Sequence, residues 1–497
     1  MLNGIKYLND NLHGGLNMKQ AFVFKTEPYE HQLTALEKSC DKQQYAYFME
    51  MGTGKSKVLV DNVTHLYAKG KINAVLIIAP KGVYRNWAKR EIPIHMPDFI
   101  ERQIYLWTPG ESAKVMKEKE DLIKPSSEIK FLVMNVEALS TPKGVKFAWK
   151  FISNHDTLMA VDESTTIKNP TAKRTKNIVK LGKYCYYRRI LTGSPVTRSP
   201  LDIYTQCQFL DPALLGFSSY YSFRNRYALL VDRSAGGRSF KQVVGFQNLE
   251  ELNGLMQPFS YRVLKEDCLD LPDKVYTRRE IEMSPEQKKI YKEIQKYAIS
   301  ELSVGTVSAS SVITQIIRLH QIACGFVSTD DSVVTDIKNN RTEELMQILE
   351  ETEGKAIIWA NYRHDINRIY NMIVKEYGEE SVGTYYGDTS DADREDLITK
   401  FQDKNSPLRF FVGNTQTGGY GITLTAASTV IYFSNSYDLE KRLQSEDRAH
   451  RIGQTNKVTY IDIVCKDTVD EKIVKALRSK LNLAQTVMGE DTWKEWL

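Results

Sequence analysis

Met49-Glu50-Met51-Gly52-Thr53-Gly54-Lys55-Ser56 decides the reading of this chain, and it follows an apolar stretch that reads as a buried strand. Glycines at positions 52 and 54 let backbone N–H groups approach a phosphate. Lys55 supplies charge for β- and γ-oxygens, and the Ser56 hydroxyl suits Mg²⁺. A second apolar stretch, Thr157-Leu158-Met159-Ala160-Val161, runs into Asp162-Glu163-Ser164. Parallel sheets place ligand residues at such strand ends. Asp162 can hold Mg²⁺ directly or through water, and Glu163 can polarise an attacking water. An Asp-Glu pair is by itself an ordinary solvated turn; the upstream loop and the order of the two motifs favour the catalytic reading. Near the C-terminus, Gln444 to Gln454 carries Arg448 and Arg451. Their spacing puts both on one face of a helix, able to reach a single γ-phosphate. The three stretches imply ATP and Mg²⁺ as cofactors and hydrolysis coupled to motion. Lys55, Asp162, Glu163, Arg448 and Arg451 are the expected catalytic groups.

Working outward, Ala74 to Ala79, Phe131 to Met134 and Arg189 to Thr192 are further apolar runs separated by helical patterns. Strands apolar on both faces and alternating with helices predict a parallel sheet covered by helices. From about Leu201 to Glu344 aromatic and charged helical patterns dominate, and Leu302 to Ser311 reads as a loop. Strand texture returns at Ala356–Trp359, Ser381–Tyr385, Arg409–Val412, Thr429–Phe433 and Val458–Val464, predicting a second α/β domain. A long amphipathic helix follows Asp470.

The bulk numbers fit this division. A chain of 497 residues, 42% hydrophobic and 26% charged, supports two to four domains with full cores. A net charge of +5 is compatible with nucleic acid without requiring it. The six cysteines form no C-x-x-C pair and no Cys/His cluster of zinc spacing, which predicts free thiols in a reducing compartment. No apolar run has the length of a signal peptide core or a membrane span. The reading is cytoplasmic, with a polar leader to about Met18, itself a candidate start.

Several motifs carry a family resemblance. Pro28-Tyr29-Glu30-His31-Gln32 resembles an adenine-reading glutamine motif. Met49 to Ser56 is similar to the first motif of Swi/Snf-type members of helicase superfamily II, which also lack glycine at the Met49 position. Ile78-Ala79-Pro80-Lys81 with Asn86-Trp87, Asp162-Glu163-Ser164 through Ile167-Lys168-Asn169-Pro170, and Leu191-Thr192-Gly193-Ser194-Pro195 resemble the motifs that follow. Tyr261 to Lys265 with Leu271 to Lys274 resembles the family's linker, and Ile313 to Gly325 the helix after it. Gly418-Gly419-Tyr420-Gly421 resembles motif V, departing from it at Thr417 and Thr423. Gln444 to Gln454 matches motif VI almost residue for residue.

The resemblance covers about Pro28 to Met488 and implies two RecA-like parallel-sheet lobes with helical insertions and a C-terminal helix. It implies a leader at 1–24, a first lobe at 25–263 with a helical protrusion at about 201–260, and a linker at 264–275. A second lobe at 276–470 with a protrusion at about 284–345, and a helical brace at 471–497, complete it. The nucleotide is expected on Gln32, Gly52, Thr53, Gly54, Lys55, Ser56, Gly421 and Gln444, and Mg²⁺ on Ser56 and Asp162. DNA contacts are expected from Lys81, Asn135, Lys168, Arg363, Tyr386, Thr415 and Gly418. The implied activity is ATP-dependent translocation by a monomer on duplex or branched DNA, in preference to single strands or RNA. A strand-separating helicase, a motor subunit of a defence complex, and a binding module with a vestigial ATPase are the alternatives. The compactness of the chain suggests a phage or prokaryotic source.

Overall fold

The computed structural model describes residues 23–235, 238–303, 309–328, 333–387, 389, 391–418 and 421–490. Most of the leader, Gly419 and Tyr420, part of the loop read at Leu302 to Ser311, and the end of the brace lie outside these residues. The chain forms two compact units. Of the described residues, the first comprises 23–229, Gly245–Asp270 and 483–490, and the second comprises Leu230–Val244 and Leu271–Asn482.

The first unit is built on β1 (Gln44–Met49), β2 (Ala74–Ala79), β3 (Arg102–Leu106), β4 (Ile129–Asn135), β5 (Thr157–Asp162), β6 (Tyr187–Leu191) and β9 (Ser260–Val263), in the order β3-β4-β2-β5-β6-β1-β9. All its pairings are parallel. β2, Ala-Val-Leu-Ile-Ile-Ala, is buried throughout. Its alternation splits cleanly: Leu76 and Ile78 enter one core, Val75 and Ile77 the other. That is why the strand reads as a continuous apolar run. The same division holds in the second unit, where Ile358 faces one core and Ile357 and Trp359 the other.

The second unit's sheet has β10 (Lys274–Ile281), β13 (Lys355–Trp359), β14 (Val382–Tyr385), β15 (Phe410–Gly413), β16 (Ala427–Tyr432) and β17 (Val458–Cys465), in the order β10-β17-β16-β13-β15-β14. Its pairings are also parallel. β11 (Phe326–Ser328) and β12 (Val334–Asp336) form a small antiparallel pair. The amphipathic helix read after Asp470 is Val469–Met488.

The stretch read as helical from Leu201 onward departs from expectation. It contains β7 (Ala228–Ala235) and β8 (Arg238–Phe246), which pair with each other in a two-stranded sheet. Much of both strands is solvent-exposed, so charged residues interrupt the apolar pattern. The Gly236-Gly237 pair between them was the available hairpin signal. β3, β9 and β10 also went unread. Each is an edge strand, and β10 exposes Val275, Arg278 and Glu280 to water.

Buried arginines tie the elements together. Arg189 on β6 is fully buried and meets no carboxylate. Its guanidinium donates to Asn62 Oδ1 and to the carbonyls of Ser39, Lys42, Gln43 and Arg188, all within 3.1 Å. It thereby closes the C-terminus of the helix Glu30–Ser39, whose last carbonyls need donors. In the second unit Arg442 makes a two-pronged pair with Asp462 at 2.6 and 2.8 Å and stacks 3.5 Å from the Tyr432 ring centre.

Candidate nucleotide and nucleic-acid sites

The phosphate loop joins β1 to the helix Lys55–Ala68. Gly52 and Gly54 have φ of 83° and 91°, a left-handed conformation that glycine adopts without strain. A β-carbon on Gly54 would stand 2.1 Å from Gln32 Nε2, so close approach also requires glycine there. No side chain caps the helix, which leaves its first-turn amides for an anion. Thr53 shapes the loop: its amide and hydroxyl both turn back to the Glu50 carbonyl, at 3.3 and 2.7 Å. Its own carbonyl accepts from Gln32 Nε2 at 3.0 Å and pairs with His31 Nε2 at 2.7 Å. In this structure the Thr53 amide thus points back into the loop. Gln32 also accepts from the Tyr29 amide at 3.1 Å, leaving its amide one donor and one acceptor position for a base.

Asp162 is the last residue of β5, two strands from β1 with β6 between. It accepts from the Trp87 indole at 2.9 Å and from the Glu163 amide at 3.0 Å. Burial pushes its carboxyl above the usual range, and the charge of Lys55 pulls it back. An under-compensated buried carboxylate beside a lysine fits a divalent cation, and half-buried Ser56 opens the neighbouring helix. Trp87 begins a π-helical turn, Trp87–Glu91, the kind of irregularity that serves functional positions.

Glu163 has φ 47°, a strained conformation for a side chain of its size, costing about 1–3 kcal/mol. Thr192, directly after β6, donates to Glu163 Oε2 at 3.4 Å and accepts from the Ser194 amide at 3.1 Å. Gly193 lies against the phosphate loop; a β-carbon there would come within 3.1 Å of the Met51 amide nitrogen. Ser164 donates to Gln206 Oε1 at 2.7 Å, and Gln206 Nε2 reaches the Pro195 carbonyl at 2.8 Å. Arg262 donates to the Gly193 carbonyl at 2.8 Å. Thus Leu191 to Pro195 is wired to both the carboxylates and the phosphate loop. Thr192, Gln206 and Arg262 were not singled out as site residues; a glutamine inside the apolar helix Ile203–Leu210 was the one legible sign.

The second unit corrects one expectation. Arg448 and Arg451 do not lie on a helix, because Leu439–Glu446 ends before them. The Glu446 carbonyl accepts from the Tyr460 hydroxyl at 2.9 Å and from the amides of Ala449 and His450, and the chain turns there. Gln454 Nε2 fixes the turn on the carbonyls of Thr425, Ala427 and Ala449. The arginines are still brought together: both donate to the Ile422 carbonyl, Arg448 at 3.1 Å and Arg451 at 3.3 Å. Arg448 is 1% exposed and also donates to the Gln444 carbonyl, whereas Arg451 is only half-buried. Gln444 is buried with its Oε1 lacking a hydrogen-bond partner. Gly421 is left-handed, with φ 72°.

The expected DNA contacts gather at the C-terminal strand ends of their own units. Exposed Lys81 follows β2, and Asn135 ends β4, where Ala79 and Asn135 are in register. Lys168 follows β5 and already donates to Thr197 Oγ1 at 2.6 Å. In the second unit Trp359, Tyr385 and Gly413 stand at one level of the sheet. Exposed Arg363 and half-buried Tyr386 and Thr415 follow these three strands. Gly418 is different: it is buried, and a β-carbon would strike the Trp359 ring at 2.4 Å. Packing explains that glycine without a phosphate.

Among the described residues Cys40, Asp41 and His65 form a grouping that sequence spacing did not show. Asp41 is already paired with Lys69 at 2.8 Å, and burial pushes the Cys40 thiol up to about 11. No helix among the described residues is long and apolar enough to cross a membrane.

Comparison with known proteins gives a consistent pattern. The family model of the SNF2-related domain matches residues 38–326, and that of the helicase conserved C-terminal domain matches 338–453. YwqA of Bacillus subtilis (strain 168), provisionally described as an ATP-dependent helicase/translocase, is 26% identical over 89% of this chain and 46% of its own length. The TATA-binding protein-associated factor mot1 of Schizosaccharomyces pombe is 26% identical over 84% of this chain and 23% of its own. The chain thus spans less than half the length of these curated relatives. A solved Sulfolobus solfataricus SWI2/SNF2 ATPase core in complex with dsDNA aligns over 94% of this chain and 95% of its own at 24% identity, with a TM-score of 0.42.

Proposed function

This chain belongs to the family of the SNF2-related domain, and from that premise we propose that it is a DNA-stimulated ATPase that moves along duplex or branched DNA. The observation that carries the reading is the contact of Thr192 with Glu163, beside an under-compensated Asp162 and a phosphate loop shaped for an anion. The first-turn amides and Lys55 would bind the triphosphate. Ser56 and Asp162 would hold Mg²⁺, which when bound neutralises phosphate charge. Glu163 would orient a water and take its proton. Arg451 would stabilise charge on the transferred phosphoryl group, anchored on the Ile422 carbonyl. Hydrolysis would depend on Arg451 as well as on the phosphate loop and the carboxylates, and coupling that dependence to bound DNA would convert turnover into movement.

The surfaces at strand ends 81, 135, 168, 363, 386 and 415 would track phosphates, nearly blind to base sequence and sensitive to salt. The action proposed is that of a monomer, without strand separation, remodelling forks or junctions or displacing bound proteins. The test is ATP hydrolysis with no nucleic acid, single-stranded DNA, duplex, a branched junction and RNA, with Glu163→Gln as the blank. Strongest stimulation by duplex or junction is expected. Stimulation by single strands or RNA alone would replace this reading with a strand-separating helicase, to be checked by forked-duplex against triplex displacement.

A further inference from the structure

The N-terminal ends of β5 and β6 in the first unit's sheet carry a surface that the nucleotide chemistry leaves unused. The helix Pro142–Ile152 leads into β5 and the helix Lys173–Gly182 into β6, so both end near the first residues of those strands. Asp162 and Thr192 mark the last residues, about 15 Å of strand away. The two helices pack together. Residues 141–155 and 171–189 carry ten lysines and arginines, the buried Arg188 and Arg189 among them, and no aspartate or glutamate, in a chain of 67 basic and 62 acidic residues. Of the neighbouring acids, Asp41 pairs with Lys69 at 2.8 Å, Asp211 with Arg188 at 3.8 Å and Glu111 with Lys143 at 2.7 Å, while Asp156, just before β5, is exposed. Lys150, Lys180 and Lys183 are exposed.

Three aromatic rings stand out of the same surface. Trp149, Tyr184 and Tyr186 are 42%, 57% and 63% exposed. Trp149 and Tyr184 meet edge to face, their centres 4.4 Å apart at 79°, and the Tyr186 hydroxyl is held by Gln43 Nε2. Single exposed aromatics are ordinary on a protein surface. Rings clustered with the exposed Lys150, Lys180 and Lys183 are matched by a ligand that offers both flat apolar faces and regularly spaced anions. Nucleic acid with unpaired bases has both, since its bases stack on aromatic rings while its phosphates meet the lysines. A duplex hides its base faces in its own stack, and an anionic membrane would need a broader apolar face than three rings provide.

We infer that this surface is a second nucleic-acid site, which takes a single-stranded segment by stacking bases on Trp149, Tyr184 and Tyr186 while Lys150, Lys180 and Lys183 meet its phosphates. It rests on the reading of the chain as a DNA motor, and it extends that reading: an unpaired arm of a branched substrate would be held apart from the tracked duplex.

The test measures binding of fluorescein-labelled oligo(dT) by anisotropy, together with ATP hydrolysis stimulated by blunt duplex, in the full chain. Two variants are compared with the parent, Trp149→Ala/Tyr184→Ala/Tyr186→Ala and Lys150→Glu/Lys180→Glu/Lys183→Glu. Both should bind oligo(dT) at least tenfold more weakly while duplex-stimulated hydrolysis stays within twofold. The lysine variant should also lose about two units of log–log salt slope, at roughly 0.7 per phosphate contact. Tyr184→Phe/Tyr186→Phe keeps the rings and should retain binding; its loss would overturn the stacking role. Unchanged oligo(dT) affinity in both triple variants overturns the proposal. So does a patch-dependent loss of co-sedimentation with phosphatidylserine vesicles when oligo(dT) binding is unaffected. If duplex fails to stimulate the parent protein but oligo(dT) binding still depends on the patch, the motor reading falls and this site stands.

Discussion

Asp162 in the first unit and Arg448 in the second are both charged side chains almost withdrawn from water, and they are treated in opposite ways. Asp162 has an indole and one amide as donors, and burial still holds its carboxyl above the usual range. Arg448 donates to two main-chain carbonyls, Gln444 and Ile422, and is 1% exposed. Asp162 is met by only two neutral donors and the charge of Lys55, while Arg448 is tied to the main chain. On the proposed reading, the first unit would keep its reactive group in the motif residue itself. The second uses one motif residue as scaffold and presents the next, half-buried Arg451.

Arg451→Ala breaks the comparison most severely. Its loss should lower DNA-stimulated kcat by ~10³-fold or more, the scale of arginine contributions in phosphoryl transfer. DNA binding and thermal stability should be unchanged. Near-normal hydrolysis by this variant would end the idea that the second unit contributes to chemistry. Glu163→Gln comes next, with kcat down ~10²–10⁴-fold, the range for a positioned general base, and nucleotide binding retained. Full turnover there would remove Glu163 from the role assigned to it.

Arg448→Ala should act differently in kind. It strips the donor from the Gln444 carbonyl and leaves Arg451 alone on the Ile422 carbonyl, and a buried acceptor left unmade costs about 1–3 kcal/mol. A lowered melting temperature should accompany any loss of activity, and Arg448→Lys should not rescue it, because an ammonium lacks the fixed fork of donors. If Arg448→Ala leaves stability intact but abolishes hydrolysis, the two arginines are equivalent and the distinction drawn here is wrong.

The same contrast explains what could be read from the sequence. Central strands such as β2 are apolar on both faces, so neither face hides the signal. Edge strands carry a wet face: Arg102-Gln103 on β3 and Arg278-Arg279-Glu280 on β10 mask their alternation. Lys55, Asp162 and Glu163 were legible because their spacing from a strand end is a local property. The helical placement of Arg448 and Arg451 failed because Tyr460 and Gln454, distant or beyond the helix, end it through the carbonyls of Glu446 and Ala449. No pattern within Gln444 to Arg451 encodes that turn. Thr192 was quoted only as part of a motif, and its contact with Glu163 spans 29 residues.

Thr192→Val is the mildest and most discriminating change. Valine keeps the branched shape at the end of β6 but removes the hydroxyl that donates to Glu163 Oε2 and accepts from the Ser194 amide. A hydrogen bond to a charged group is worth roughly 1.5–3 kcal/mol, and at 3.4 Å the lower end applies, so kcat should fall about tenfold. ATP affinity should hold, since the phosphate loop keeps its Gly54 and Gln32 contacts. The Ser194 amide loses its acceptor, so the loop after β6, which touches the Met51 amide through Gly193, should also loosen. Thr192→Ser retains the hydroxyl and should restore most of the rate. If valine lowers basal and DNA-stimulated hydrolysis equally, Thr192 only orients Glu163. If it lowers the stimulated rate alone, the loop from Leu191 to Pro195 carries the signal of bound DNA to the carboxylates, and the first unit has a switch as well as a site.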